Sequence, residues 1–226
     1  MKAVILAAGV GSRLGRPLPK TLSILPSGES ILTRQVRIFR ESGIKEIIVV
    51  AGFKKTLVME HQPDVFYRYN PLFYITNTSK SLLCALEDLD DDVLWANGDV
   101  VFDPEVIRLV MDAPRNAVAV DKKKCGEEEV KYRTDEHGII TAISKTIANP
   151  EGEAVGVNKV LASHLPAMRR ALDRCADQDY FEQAIEFLIQ DAVPFLPLDI
   201  SQHRCIEVDF PEDWRQAQQL FSDRPS

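Results

Sequence analysis

Four basic side chains (Lys2, Arg13, Arg16 and Lys20) and three glycines (Gly9, Gly11 and Gly15) fall within the first twenty residues, and no acidic residue precedes Glu29. Glycines let backbone amides crowd round an anion, and the arginines and lysines add fixed positive charge. The set suits a polyphosphate. Two carboxylates lie far along the chain: Asp99, in Asn97-Gly98-Asp99, and Asp209, in Glu207-Val208-Asp209. Brought to such a loop they would hold Mg²⁺, a hard cation that takes oxygen ligands and shares them with substrate phosphates. Two simpler readings compete. Asn-Gly-Asp is also a turn sequence, and Asp209 can cap a helix opening at Pro211, so spacing alone leaves metal binding and capping level at that residue.

The elements that must position these groups are legible from periodicity. The apolar run over 3–8 reads as a buried strand that feeds directly into the glycine loop. Ile31, Leu32, Val36 and Phe39 predict a helix over 30–40, stopped by Gly43. Strands follow over 46–51, 65–69 and 93–96, with helices over 55–61 and 79–89. This alternation implies an α/β fold: three αβα layers, Rossmann-like, round a largely parallel sheet. In such sheets ligands gather at the carboxyl ends of the strands, which places Asp99 in the crevice of the glycine loop. Further on, 117–120, 130–134 and 138–143 read as strands in hairpins, and 165–175, 180–190 and 211–221 as helices. Without a linker, a repeat or a low-complexity segment, the expectation is one domain over 1–226.

Residue order excludes the commoner nucleotide motifs. In a G-x-G-x-x-G fingerprint Leu14 stands where the third glycine belongs, and Glu29 follows a Pro-Ser-Gly turn rather than a second strand. No Gly-Lys-Ser/Thr follows for a P-loop. What remains, L-A-A-G-x-G-x-R-L with a later P-K, resembles the signature of the nucleotidyltransferases that make NDP-sugars and CDP-alcohols. Asn70-Pro71, Thr76-Asn77, Ser81-Leu82, Asn97-Gly98-Asp99 and Glu207-Val208-Asp209-x-Pro-Glu-Asp make the chain similar to the phosphocholine cytidylyltransferase branch. Inositol-1-phosphate cytidylyltransferases are near relatives of that branch. The likeness runs over essentially 1–220 and is weakest over 115–151.

The resemblance implies a single nucleotidyltransferase domain with a predominantly parallel mixed sheet. It also implies transfer of CMP from CTP to a small phosphorylated alcohol, phosphocholine-like, with release of pyrophosphate. A sugar 1-phosphate acceptor with another NTP is the alternative. Leu6, Ala7, Ala8, Gly9, Gly11, Ser12, Asn97 and Gly98 would surround the nucleotide. Arg13 and Lys20 would act on its phosphates, Asn77 and Ser81 would lie beside base and ribose, and Asp99 and Asp209 would be the Mg²⁺ carboxylates. Lys145 stands where relatives carry a lysine toward the acceptor phosphate, although the setting here is Ser-Lys-Thr rather than Glu-Lys-Pro. For a polyol acceptor Glu153, Asn158 and Lys159 offer hydroxyl partners. For a quaternary ammonium an aromatic box is needed. Tyr67, Tyr69, Phe73, Tyr74, Trp95, Tyr132 and Tyr180 are its candidates, with charge from Glu128 or Glu129.

Bulk properties narrow the partners. A net charge of -7 over 226 residues argues against nucleic acid. Four cysteines without C-x-x-C spacing suggest neither zinc nor disulfides, hence reduced thiols in the cytoplasm. The apolar run after Met1-Lys2 is too short for a signal peptide, and nothing has the length to span a bilayer. A monomer or homodimer is expected. His61, His137, His164 and His203 lack ligand spacing and read as structural or surface residues. The run Lys122-Lys123-Lys124, balanced by Glu127-Glu128-Glu129, reads as a solvated hairpin. A glycosyltransferase of similar architecture would show D-x-D, which Asn97-Gly98-Asp99 is not. A non-catalytic nucleotide-binding regulator would have no use for the whole set of Arg13, Lys20, Asp99 and Asp209.

Overall fold

The computed structural model describes residues 1–15 and 17–222; Arg16 and the side chain of Ser12 lie outside the described residues. The strands are β1 (Lys2–Ala7), β2 (Ile47–Ala51), β3 (Phe66–Tyr69), β4 (Val93–Asn97), β5 (Val100–Phe102), β6 (Asn116–Asp121), β7 (Lys131–Thr134), β8 (Ile140–Ser144), β9 (Gly152–Val160), β10 (Phe195–Asp199) and β11 (Cys205–Glu207). The helices are α1 (Ile31–Glu41), α2 (Lys55–His61), α3 (Thr78–Leu86), α4 (Pro104–Asp112), α5 (Leu165–Arg174), α6 (Phe181–Gln190) and α7 (Pro211–Leu220). The predicted elements all appear, within a few residues of their expected ends. Sequence periodicity does not reveal β5, α4, β9 or β10. In β9 the small and polar residues Gly152, Glu153, Gly156, Asn158 and Lys159 break up the apolar pattern.

The main sheet runs β10-β6-β9-β4-β1-β2-β3, with the β7–β8 hairpin joined to β9. Along that path β9 alone opposes its neighbours, pairing antiparallel with β4 and β6, while the remaining pairs are parallel. A mostly parallel mixed sheet results, and both its faces are covered. Val4, Leu6 and Trp95 pack with Leu82, Met168 and Phe181 on the face under α3, α5 and α6. Ala3, Ile5 and Leu94 pack with Leu32, Phe39 and Ile107 on the face under α1 and α4. The alternation of adjacent β1 residues between these clusters follows from the two-residue period of a strand. Each large side chain so buried contributes roughly 1.5–3 kcal/mol.

A third apolar cluster matters most for function. Leu14 packs with Leu25, Ile31, Val101, Val208, Trp214 and Phe221, joining the end of the glycine loop to β5 and α7. The residue that spoils the dinucleotide fingerprint is therefore the loop's anchor. Residues 122–130 form an irregular segment rather than the expected hairpin; the hairpin is β7–β8.

Candidate active site

Neighbouring parallel strands bring the first loop and Asp99 together. Leu6 of β1 is in register with Asn97 of β4, and the Gly98 amide donates to the Leu6 carbonyl at 2.9 Å. A Cβ on Gly98 would lie 2.7 Å from that carbonyl oxygen, so the crossing requires glycine. Asp209 arrives by a different route. β11 pairs antiparallel with β5, and one further backbone bond, from Val208 N–H to the Asp99 carbonyl at 2.9 Å, draws the chain after β11 onto the turn after β4. Asp209 does not cap α7. The Asp213 carboxylate accepts from the Asp209 and Phe210 amides at 3.0 and 2.7 Å, which leaves the Asp209 side chain free to face the loop.

Lys20 closes this constellation. Its ammonium lies 3.3 Å from Asp99 Oδ2 and also bonds Asp209 Oδ1, so one cation bridges both carboxylates. The lysine stem passes beneath Gly11, where φ is +63° and a Cβ would meet Lys20 Cγ at 2.6 Å. Arg13 Nη1 stands 3.5 Å from Asp209 Oδ2, with its guanidinium 5.8 Å from the centre of the Phe210 ring. Enclosure pushes the Asp99 carboxyl above its ordinary value; Lys20 opposes the shift and Asp209 reinforces it. The Lys20 ammonium is held above its ordinary value because burial is outweighed by the two aspartates.

These groups line one cavity of about 560 Å³. Of the expected site residues, Leu6, Ala7, Gly9, Gly11, Arg13, Lys20, Asn77, Asn97, Gly98, Asp99, Lys145, Glu153 and Asp209 line it. Others are placed elsewhere. Ala8 is buried, its carbonyl accepting from the Phe53 amide at 2.9 Å. Ser81 is 6% exposed and its hydroxyl takes a bond from Asn70 Nδ2. Asn158 is 1% exposed within β9, and the Lys159 ammonium is tied to the Met111 and Ala113 carbonyls, both at 2.7 Å. No aromatic box forms from the named candidates. Trp95 and Tyr132 are wholly buried, Tyr67 bonds the Gln62 carbonyl at 2.7 Å, and of the seven only Tyr180 is among the described residues lining the cavity. Lys123, Glu128 and Glu129, expected on a solvated hairpin, line the cavity too, with Lys123 Nζ 2.8 Å from Glu153.

A family model for the MobA-like NTP transferase domain matches residues 3–183. The chain belongs to that family. It is a nucleotidyltransferase. Among curated relatives, a CMP-5'-(3-aminopropyl)phosphonate synthase from Streptomyces rubellomurinus is 32% identical over 98% of this chain, which spans 39% of that relative's length. A UTP–glucose-1-phosphate uridylyltransferase from Haloferax volcanii is 27% identical over 99% of this chain and 97% of its own. Two solved structures share the fold. The inositol-1-phosphate CTP transferase from T. maritima matches with a TM-score of 0.82 and 15% identity, covering 100% of this chain and 97% of its own. The CTP:phosphocholine cytidylyltransferase from Streptococcus pneumoniae gives 0.81 and 21%, covering 97% and 98%.

Two contributors escape sequence reasoning. Gln35 is buried on the apolar face of α1, and its amide donates to the Asn97 carbonyl at 2.8 Å and the Val100 carbonyl at 2.7 Å. It thereby clamps the turn that carries Asp99. A glutamine amid Ile31, Leu32, Val36 and Phe39 is the available signal. The second is Glu182, in the first turn of α6. It lines the cavity yet is only 7% exposed, and its Oε2 has no hydrogen-bond partner. Burial raises its carboxyl from 4.5 to about 7.

This second feature has a measurable consequence. The folded state binds the Glu182 proton more tightly than the unfolded chain, so stability is full below pH 4.5, declines as pH rises toward 7, and stays reduced above that. Glu182→Gln removes the penalty. Its melting temperature is expected to exceed that of the parent at pH 8 by roughly 5–10 °C, reflecting at most about 3 kcal/mol, with the difference closing near pH 4.5. Equal melting curves at pH 8 would mean that the carboxylate has a partner in solution.

Proposed function

We propose that this enzyme transfers CMP from CTP to a small acceptor bearing a phosphate or phosphonate, in a reaction that requires Mg²⁺. One observation carries the reading: a single ammonium, Lys20, bridges Asp99 and Asp209 beside a basic glycine loop. A place that already holds a cation between two carboxylates fits a divalent metal. The wider cavity argues the same way, since among the described residues eight carboxylates face four cationic side chains. Two polyanionic substrates could not meet there without added positive charge. Mg²⁺ on Asp99 and Asp209 would supply it, shared with phosphate oxygens.

The chain's own residues do the rest. The Gly9–Gly11 loop and the Asn97-Gly98 turn seat the nucleotide at the strand ends. A phosphate monoester has a second pKa near 6, so its oxygen is already an anionic nucleophile at neutral pH and no general base is needed. That oxygen forms a bond to the α-phosphorus while the α–β bridging bond breaks, and pyrophosphate carries the electron pair away. Arg13 and Lys20 meet the charge that develops on the α-phosphoryl and leaving groups.

The preference for cytidine rests on the resemblance of the motifs and on the Streptomyces relative, a CMP-5'-(3-aminopropyl)phosphonate synthase. The Haloferax relative supports a second reading, uridylyl transfer to a sugar 1-phosphate. Pyrophosphate release, measured with each of the four NTPs against phosphocholine, phosphoethanolamine, inositol phosphate, glycerol phosphate and glucose 1-phosphate, separates them. Turnover is expected with CTP and a small non-sugar acceptor. Turnover confined to UTP or dTTP with glucose 1-phosphate would overturn the cytidylyl assignment.

A further inference from the structure

Of the three consecutive lysines that follow β6, one is fixed and aimed at the cavity. Lys123 lines it, with Nζ 2.8 Å from Oε1 of Glu153, a carboxylate only 12% exposed. The backbone that carries Lys123 is held from two sides. The Lys122 amide donates to Ser201 Oγ at 2.9 Å, and Gly152 comes so close that a Cβ there would clash with the Asp121 carbonyl oxygen and stand 3.0 Å from Lys122 Cα. The neighbours of Lys123 are placed differently. Lys122 pairs with Asp199 at 3.2 Å, and neither it nor Lys124 is among the described residues lining the cavity. A merely solvated run needs no such placement.

The fold brings this lysine to the reacting end of the site. In the strand order β6-β9-β4-β1, Glu153 lies at the start of β9, which runs antiparallel to β4 with Val157 opposite Ala96. The first residues of β9 therefore approach the edge where Asn97-Gly98-Asp99 turns, and a Cβ on Gly156 would stand 2.8 Å from Asn97 Nδ2. Lys131 of β7 is opposite both Glu153 and Ser144 of β8, so Lys145 comes to the same edge, its carbonyl accepting from the Lys131 ammonium at 2.7 Å. The Cys205 thiol marks how near these groups are. Burial first, then Glu207 and Glu153, push it up, and Lys123 opposes the shift. Lys123 thus acts on the same atom as Glu207, two residues from Asp209.

We propose that Lys123 binds the phosphate or phosphonate of the acceptor, and that Glu153 is the positioning residue that aims it. The assignment rests on the nucleotidyl-transfer reading above and supplies a residue for its acceptor half. Arg13 and Lys20 face Asp99 and Asp209 beside the glycine loop. Among the described lining residues, the cations left for a second anion are Lys123 and Lys145. Lys145 lies 3.5 Å from Glu128, with its ammonium 4.7 Å from the centre of the Tyr180 ring. An ammonium carries three N–H donors. Glu153 takes one from Lys123, and Asp121 Oδ2, at 3.7 Å, is beyond hydrogen-bond length. Two donors remain for acceptor oxygens. Burial works against the charge of Lys123 and Glu153 outweighs it, so the ammonium is held above its ordinary value and stays charged at neutral pH.

The test uses whichever acceptor the wild-type enzyme turns over. Lys123→Met is expected to raise the KM for that acceptor by about 10–100-fold, the usual worth of a charged hydrogen bond, with kcat and the KM for the nucleotide unchanged. Lys123→Arg should recover part of the loss. Glu153→Gln should show a smaller rise on the acceptor alone, and Lys122→Met should match wild type. An unchanged acceptor KM in Lys123→Met would overturn the assignment. Equal rises for acceptor and nucleotide would overturn it too, by placing Lys123 on the nucleotide's phosphates. A second measurement needs no variant. Wild-type lysines are acetylated with an N-hydroxysuccinimide ester, in inorganic phosphate or in chloride of equal ionic strength, and the sites are read by mass spectrometry. Phosphate is expected to slow modification of Lys123 several-fold and to leave Lys122 and Lys124 unaffected; equal rates at Lys123 would contradict the proposal. Turnover only with UTP or dTTP and glucose 1-phosphate would remove the cytidylyl reading and leave Lys123 to be judged on the KM for that sugar phosphate.

Discussion

Asp99→Asn and Asp209→Asn are each expected to lower turnover by ~10³-fold or more at ordinary Mg²⁺, several kcal/mol of transition-state stabilisation. Asparagine preserves the volume and one oxygen but withdraws the charge that holds a divalent cation. Neither change should unfold the protein. In each variant Lys20 keeps the other aspartate as partner, and the Val208–Asp99 backbone bond that joins the two segments involves no side chain. The measurement is pyrophosphate release across an Mg²⁺ titration, with a thermal melt as control. Near-parental activity at low Mg²⁺ in either variant would remove that residue from the metal site.

Lys20→Ala and Arg13→Ala are expected to depress kcat by ~10²–10³-fold, because the charge they meet grows as pyrophosphate departs. Lys20 should stand at the upper end. Its side chain is 11% exposed against 46% for Arg13, so water replaces less of what it supplies. Losing Lys20 also leaves Asp99 and Asp209 side by side without their shared cation, which raises the Asp99 carboxyl further and favours its protonated form. Single-turnover rates separate the possibilities. A rise in KM at unchanged kcat would mean that these residues grip only the ground state.

The first loop, Lys20 and Asp99 are legible in the sequence because charged residues at strand ends of an α/β pattern have few places to go, whereas Asp209 is singled out by the family resemblance, spacing alone leaving it level with a helix cap. Their convergence was half legible. Asp99 follows from a largely parallel sheet, which alternation predicts and which puts strand carboxyl ends along one edge; that β1 and β4 are direct neighbours appears only in the fold. The approach of Asp209 depends on β5 and β11, two three-residue strands far apart in sequence, whose pairing no local pattern announces. Periodicity also cannot tell a polar group that faces ligand from one that faces the interior. Ser81 and Asn158 match expected positions and turn inward, while Glu182 sits in a largely apolar helix and faces the cavity. Leu14 shows the same limit from the other side. As a failed third glycine it only excludes a motif, and its packing against Val208 and Trp214 becomes visible once the chain is folded.

The central claim, attack on the α-phosphorus with pyrophosphate leaving, is tested most directly by following isotope from CTP labelled at the α or the γ position. With Mg²⁺ and an acceptor that the enzyme turns over, the α-label is expected in a product in which CMP is joined to the acceptor, and the γ-label in pyrophosphate alone. Asp99→Asn should abolish both transfers. Appearance of the γ-label on the acceptor would show phosphoryl rather than nucleotidyl transfer, and would contradict the account.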